Sequence, residues 1–446
     1  MDRKSCFITP HPGFIAATQH KRLQHALSLL GRWWDSGSMR RVTPRFSFLI
    51  GGLLLCLLSA CASGGISWIE DDYPAALKRS IAEDKPIVID LWAPWCHTCL
   101  SMKHYVLNDP AIEALEDRFV WLALDTDRVA NARALTKFPP EVWPTFYVVS
   151  GRDQKIQAQF PGSATAQEFI AFLERGETAA LANAPLDKNS AAYWLREGSR
   201  AAAAKLHNVA DKHYALAISL APKDWARLPD VLGRRIRAQF RQKDYSACGQ
   251  LALKHMTEAM SARDAAAYTF ANYAVLCATR GDQNNEVLRE VVSASGLKGV
   301  VDDLSSPMTV DDRTDSMRVL RNAYRALEDQ AAAKAIAERQ ATMLTAAFKA
   351  ASSPKMAMTY NWPRVEVHRY LGRLDELVED LTQQVSDLPE QYDPPYRLAT
   401  TLFHLDRLEP AMDMAKRALA LVYGPRRRSV EKLMLAIEIR ATTSGQ

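Results

Sequence analysis

Glycine and proline are scarce in this chain, 19 and 22 of 446 residues, which rules out a collagen-like or Pro/Gly-rich low-complexity protein. Long apolar runs are rare too. One, Phe46 to Leu58, reaches 13 residues, short of the roughly 18–20 that a stable membrane-crossing helix needs, so a polytopic membrane protein is excluded. No sign of charge dominates the body of the chain: the overall charge is +5, but residues 1–60 alone carry +6, leaving −1 on the other 386. Such a near-neutral body has no basic footprint for nucleic acid. Cysteine is sparse, seven in all, with one C-x-x-C at Cys96 and Cys99 and neither a second such pair nor an H-x₃-H. A structural zinc site wants four ligands, commonly as two spaced pairs, so no metal is expected. The remainder, 48% apolar and 24% charged, is ordinary globular composition, and at roughly 100–200 residues per domain it predicts two or three domains.

The amino-terminal region carries an export pattern. Arg40, Arg41 and Arg45 precede the apolar run, which ends in Leu58-Ser59-Ala60-Cys61. A basic segment, a short apolar core and a small-residue end are the three parts of a secretory signal peptide. The segment 39–60 resembles a bacterial lipoprotein signal, and that resemblance implies that Cys61 is acylated and begins the mature chain. Ala62 after it, where an Asp would retain the protein at the inner membrane, points to the outer membrane. Arg40-Arg41 hints at a twin-arginine signal, but Val42-Thr43 does not continue that pattern, and the general secretory route is preferred. Met39 is the expected start, with residues 1–38 upstream of it. The expected location is therefore the periplasmic face of a bacterial membrane, lipid-anchored, where paired thiols can stay oxidised.

After a linker at 61–72, residues 73–176 alternate strand and helix signals. Tyr73–Glu83 has a helical apolar rhythm, and Ile87-Val88-Ile89-Asp90-Leu91-Trp92 is a β-branched run suited to a buried strand. It delivers the chain to Ala93-Pro94-Trp95-Cys96-His97-Thr98-Cys99, followed by a helix that Asn108-Asp109-Pro110 ends. Then come a strand at Phe119–Asp125, a helix at Arg128–Phe138, Trp143-Pro144-Thr145 leading into a strand at Phe146–Ser150, a strand at Lys155–Phe160 and a helix at Ala166–Arg175.

The segment from Ile89 to Cys99 resembles the active-site segment of the thioredoxin superfamily, and Trp143-Pro144-Thr145 sits where that family has its cis-proline loop. The Asn108-Asp109-Pro110 continuation is similar to the carboxy-terminal domain of the DsbD disulfide interchange reductases. The resemblance implies an α/β thioredoxin-like domain whose only redox group is the Cys96–Cys99 pair, without a further cofactor, acting on protein thiols and disulfides and fed by a membrane electron donor of the DsbD type. It also implies that Asp90 is the buried carboxylate that takes the proton of the second cysteine; the competing reading of Asp90 is a strand-end cap. Pro144 would face the disulfide, and Trp95, His97, Thr98, Trp143 and Thr145 would form the active-site loop and substrate groove. Trp143 departs from the small or β-branched residue usual there, and its bulk could either contact a partner or narrow the groove.

The chemistry also follows from the residues. Disulfide exchange needs a thiolate, and a cysteine at a helix N-terminus has its anion stabilised by free N–H groups and the helix dipole. Cys96 is therefore the expected attacking thiol and Cys99, one turn in, the resolving one. The two intervening residues set the redox poise, and His97 can donate to the Cys96 thiolate and make the site a stronger oxidant. The pair His97-Thr98 leaves the direction open, with reductant or isomerase preferred from the surroundings. His104 is expected on a solvated helix face.

Beyond a second linker at 177–190, strand signals stop and residues 191–446 read as helical hairpins. Trp194, Gly198, Ala210, Tyr214, Ala217 and Pro222 match the tetratricopeptide pattern, apart from Ala201 where an aromatic is usual. Tyr370-Leu371-Gly372-Arg373-Leu374-Asp375 returns as His404-Leu405-Asp406-Arg407-Leu408-Glu409 at an offset of 34, the tetratricopeptide period. This part is expected to be an all-α tetratricopeptide-like solenoid that binds a partner protein on its concave face, or else a spacer. If 244–260 and 265–280 form one hairpin, Cys248 and Cys277 meet at the same end of it, either as a structural disulfide or as buried free thiols. The expected function is thiol–disulfide exchange at Cys96 and Cys99 with helical repeats choosing the partner. The competing class is a membrane-tethered scaffold whose thioredoxin-like domain is not required for turnover.

Overall fold

The computed structural model describes residues 65–181 and 186–444. Segments 1–38 and 39–60 and the lipidation candidate Cys61 lie outside the described residues. Five strands, β1 (Trp68–Glu70), β2 (Ile87–Trp92), β3 (Val120–Asp125), β4 (Thr145–Val149) and β5 (Ile156–Pro161), form one sheet in the order β1-β3-β2-β4-β5. β1 pairs parallel with β3 and β3 with β2, while β4 runs antiparallel to β2 and to β5.

Alternation along the strands divides the core in two. Val88, Trp121, Phe146 and Val148 point to one face, against Phe169, Phe172 and Leu173 of helix α5. Ile87, Ile89, Leu91, Leu122 and Leu124 point to the other, against Ala76 of helix α1 and Phe138. The helices of this domain are α1 (Tyr73–Glu83), α2 (His97–Ser101, continued by a π-turn over Met102–Val106), α3 (Pro110–Glu113, capped by the Asp109 side chain), α4 (Ala132–Lys137) and α5 (Ala166–Leu181).

Three elements depart from the sequence reading. β1 falls inside 61–72, read above as linker, because three residues are too few to show a period; Trp68 is held there edge-on to Trp121 at 5.3 Å. The helix expected over 128–138 divides into a 3₁₀ turn at Val129–Asn131 and α4. α5 runs six residues past Arg175 into the segment read as linker, since Gly176-Glu177-Thr178-Ala179-Ala180-Leu181 continues a helix once its Ala-rich end is supported.

From Ala191 every regular element among the described residues is helical. Antiparallel hairpins follow one another: Ala191–Ala203 with His207–Ser219, Leu228–Arg241 with Tyr245–Met260, Val310–Ala326 with Gln330–Ala350, and Asp393–His404 with Leu408–Leu421. The turns repeat as closely as the helices. A left-handed residue stands at Lys205, Lys243, Glu328, Gly372 and Asp406. The N–H of each following residue returns to a carbonyl five positions back, Leu206 to Ala201, Asp244 to Gln239, Asp329 to Tyr324, Arg373 to His368 and Arg407 to Leu402, all at 2.9–3.1 Å. This is a Schellman closure, which satisfies carbonyls left open at a helix end. The 34-residue echo in the sequence is thus one turn made twice, with glycine at 372 and aspartate at 406. In the first hairpin, a Cβ on Gly198 would lie 2.6 Å from the Tyr214 ring, so the close approach of the two helices requires glycine there.

Cys248 and Cys277 sit at the same end of the hairpin Tyr245–Met260 and Ala265–Arg280, are bonded to each other with Cα atoms 6.1 Å apart, and are almost wholly buried. We expect full-length protein, denatured and alkylated without reductant, to show both residues unmodified by mass spectrometry. Modification of both would contradict the bond.

Candidate functional site

β2 ends in Trp92, and Ala93-Pro94-Trp95 turns the chain so that Cys96 caps α2. The Cys96 Sγ accepts from the Cys99 N–H at 3.0 Å, the contact that would hold a thiolate there. Cys96 and Cys99 are bonded in the structure, with Cα atoms 5.2 Å apart. Asp90 lies inside β2, opposite Ala123 and Phe146. Its Oδ1 is buried and has no hydrogen-bond partner, so it caps nothing. Burial raises its carboxyl to about 7, Lys103 pulling it down and Glu70 pushing it up. A carboxyl poised near neutrality can take a proton and return it.

The loop before β4 supplies the facing wall. The Trp143–Pro144 peptide is cis. The Trp143 ring lies 5.5 Å from that of Trp95, its Nε1 donates to Thr126 Oγ1 at 2.8 Å, and 39% of it remains exposed, a position compatible with either of the roles left open for it. Thr145 does not line a groove. It is fully buried, and its hydroxyl donates to the Val142 carbonyl at 2.6 Å and accepts from the Val142 N–H at 3.3 Å, so it closes the loop that presents Trp143.

The helical region is docked on this end of the sheet. It packs on α2, at whose start Cys96 is 5% and Cys99 3% exposed; both cysteines pack with Ala93, Trp92 and Trp95. His97 Nδ1 lies 2.8 Å from Asp311 Oδ1, in the first turn of the helix Val310–Ala326, and Thr98 lies beside the same carboxylate. The expected His97 contact to Cys96 thus competes with one to Asp311, which holds Nδ1. Ser101 donates to Thr309 at 3.3 Å, and Ser163 donates to Asp312. The Arg426 guanidinium lies 3.5 Å from the centre of the Trp95 ring, whose Nε1 donates to Asp127 at 2.8 Å. Tyr423 donates to Asp125. Toward β5, Arg234 donates to the Gln159 carbonyl at 3.1 Å, and Arg237 pairs with Glu141 at 2.7 Å.

Electrostatics follow from this burial. Desolvation works against a charged His97, but Asp311 and Asp315 outweigh it and raise the imidazole to about 9. Burial raises the Asp312 carboxyl to about 7, with Asp311 adding to the effect. His104 is not on a solvated face: it is half-buried, and burial together with Lys103 and Lys355 lowers it to about 4.

Sequence reasoning missed Asp311, Asp312, Tyr423 and Arg426. The run Asp311-Asp312-Arg313-Thr314-Asp315-Ser316 reads as a solvated helix start, yet every member is buried. Its one signal is that four of these six consecutive residues are charged and none is apolar, so the buried apolar side of this helix begins only at Met317.

Residues 68–149 match the family model described as thioredoxin-like. Among curated proteins, the chain is 34% identical over 95 residues to the thiol:disulfide interchange protein DsbD of Escherichia coli, covering 21% of this chain and 17% of that protein. It is 30% identical over 94 residues to the chloroplastic thioredoxin Y1 of Arabidopsis thaliana, covering 21% of this chain and 51% of that protein. The chain thus spans about half or less of the length of these relatives. Two solved tetratricopeptide structures align with 56% of the chain: a thermophilic protein of Thermus thermophilus, 17% identical over its full length with a TM-score of 0.28, and 98% of the yeast Sti1 TPR2AB domain, 12% identical with a TM-score of 0.21. The protein therefore carries an α/β thioredoxin-like domain followed by a helical region.

Asp90 gives a pH signature. In the folded chain it keeps its proton between about pH 4 and 7, where the unfolded chain has lost it, so its contribution to stability falls as pH rises through that window. We expect Asp90→Asn to gain on the native protein from pH 4 to pH 8, by about 4 kcal/mol at most, in urea unfolding at the two pH values. An equal difference at both would contradict the assignment.

Proposed function

We propose that the protein is a thiol–disulfide oxidoreductase acting on protein substrates, anchored by a lipid on Cys61 at the periplasmic face of a bacterial membrane, the outer one preferred, and working as a reductant or isomerase. The observation that carries the redox reading is the Cys96–Cys99 pair at the start of α2, reached from the strand β2 that holds Asp90, whose buried Oδ1 has no hydrogen-bond partner, in a thioredoxin-like domain.

The reaction balances without a further cofactor. The Cys96 thiolate attacks one sulfur of a substrate disulfide, a mixed disulfide forms, and the other substrate sulfur leaves as a thiolate. Cys99 gives its proton to Asp90 and attacks Cys96 Sγ, so the mixed disulfide breaks and the second substrate sulfur leaves. Two electrons pass from the cysteine pair to the substrate, whose sulfurs take up two protons. Trp143 and Pro144 would steer the substrate chain. A membrane electron donor of the DsbD type would re-reduce the pair, and the helical repeats would select the partner protein.

The anchor rests on the motif Leu58-Ser59-Ala60-Cys61 after a basic segment and an apolar run, and radiolabelled fatty acid incorporation that Cys61→Ala abolishes tests it. The second reading, a tethered scaffold, is favoured by the burial of both cysteines. Two measurements decide between them. Cys99→Ser should accumulate a Cys96 mixed disulfide with glutathione that Cys96→Ser does not form. Native protein equilibrated with glutathione should give a potential near or below about −230 mV for a reductant, against about −120 to −180 mV for an oxidant or isomerase. Failure to form the adduct, with Cys96→Ser retaining full cellular function, would establish the scaffold instead.

A further inference from the structure

We propose that Asp311, supplied by the helical region, is a positioning residue of the redox centre: it holds His97 as an imidazolium beside Cys96 and thereby sets how well the Cys96 thiolate is stabilised. This deepens the oxidoreductase reading and rests on it.

The geometry is that of a carboxylate–imidazole pair placed next to the attacking cysteine in sequence. His97 follows Cys96 directly and opens α2. Its Nδ1 lies 2.8 Å from Asp311 Oδ1, with the His97 side chain 18% and the Asp311 side chain 1% exposed. The other carboxylate oxygen, Oδ2, is buried with no hydrogen-bond partner, and besides Thr98 the close side-chain partner of this carboxylate among the described residues is His97. Where a carboxylate fixes one imidazole nitrogen, the ring is held in one orientation and its cationic form is stabilised. A cation one residue from the attacking sulfur stabilises the thiolate, and so favours the dithiol form over the disulfide.

The surrounding charges agree with this assignment. From the same helix, Asp315 also faces His97, but Arg318 pairs with it at 3.4 Å. Asp312 is turned away to Ser163 and Thr309. From the helix Asp393–His404, Asp393 is matched by Arg397 at 2.8 Å. Arg426 is committed to the Trp95 ring. Each of these groups has its own partner, and the pairing left to the active-site imidazole is with Asp311. Burial alone would make His97 neutral, and Asp311 is the first of the groups that reverse this.

The electron count is unchanged by the proposal. Reduction of the Cys96–Cys99 disulfide by two glutathione molecules takes two electrons and yields glutathione disulfide. With His97 charged, Cys96 is left as a thiolate and its proton goes to solvent, while Cys99 is protonated. Without the imidazolium, Cys96 keeps its proton at neutral pH.

Three readouts on the full-length protein test this. The first needs no substitution: the His97 ring resonances of the oxidised protein should show the imidazolium persisting to pH 8, and titration at or below about 6.5, the ordinary histidine value, would overturn the proposal. In the second, Asp311→Asn should move the pH at which the Cys96 thiolate appears, read by ultraviolet absorbance, upward by about one unit. Its equilibrium with glutathione should shift about tenfold toward the disulfide, which is about 30 mV lower in potential. The third separates a positioning role from a structural one: in a His97→Asn background, Asp311→Asn should leave both quantities unchanged. An equal shift in both backgrounds, or none in either, would overturn the proposal. Should the Asp311→Asn protein fail to fold, the His97 titration still decides. A pair that does not exchange with glutathione at all would instead refute the oxidoreductase reading, and the ring titration would again decide the role of Asp311.

Discussion

His97 and Asp311 lie 2.8 Å apart, the first largely and the second almost wholly withdrawn from water, and with His97 charged, as proposed above, the pair constrains everything around it. Such a pair adds little net stability, because desolvation offsets most of the attraction, but separating its partners inside the protein leaves an uncompensated buried charge. Sliding the helical region along the sheet edge would do that at His97. It would also break the Ser101–Thr309 and Ser163–Asp312 contacts and take Arg426 off the Trp95 ring. The docking register is therefore specified by polar groups with few alternative partners, and the register fixes what surrounds the cysteines.

The consequence is a redox centre with two contributors. The α/β domain supplies Cys96, Cys99, Asp90 and the Trp143–Pro144 loop, while the helical region packs on α2 and supplies the carboxylate against His97. The interface between these two contributors is mostly polar. Its contacts are largely ion pairs, hydroxyl–carboxylate bonds and a guanidinium on an indole. Its apolar part is small, chiefly Leu100 with Met358 and Leu388, and Trp95 against Tyr392 and Val422. One carboxyl in this zone, Asp312, is pushed up to about 7 by burial and by Asp311 beside it.

Much of the α/β domain was legible in the sequence because its signals are local. The run Ile87–Trp92 is β-branched and buried on both faces, and Asp109 before Pro110 is a cap that needs no distant partner. The 34-residue echo was legible for the same reason: Gly372 and Asp406 close the same turn. The burial of Asp311 and the Thr145 hydroxyl's role in its own loop were not legible. Both depend on contacts made after folding, one across 214 positions from His97 and one in a loop whose shape the sequence does not announce. His104 was misjudged on the same ground: its helix face looks solvated until the helical region covers it.

In this arrangement the cysteine pair works inside a site completed by the helical region. The rate at which iodoacetamide alkylates Cys96 in the reduced full-length protein tests it most directly, compared with a variant in which Arg234→Ala and Arg237→Ala loosen the far side of the interface. The account predicts slow alkylation in the native protein, limited by opening, and at least a tenfold faster rate in the variant, as expected if the lost contacts cost about 1.4 kcal/mol of closure. Native alkylation as fast as that of an exposed thiolate, unchanged in the variant, would contradict it.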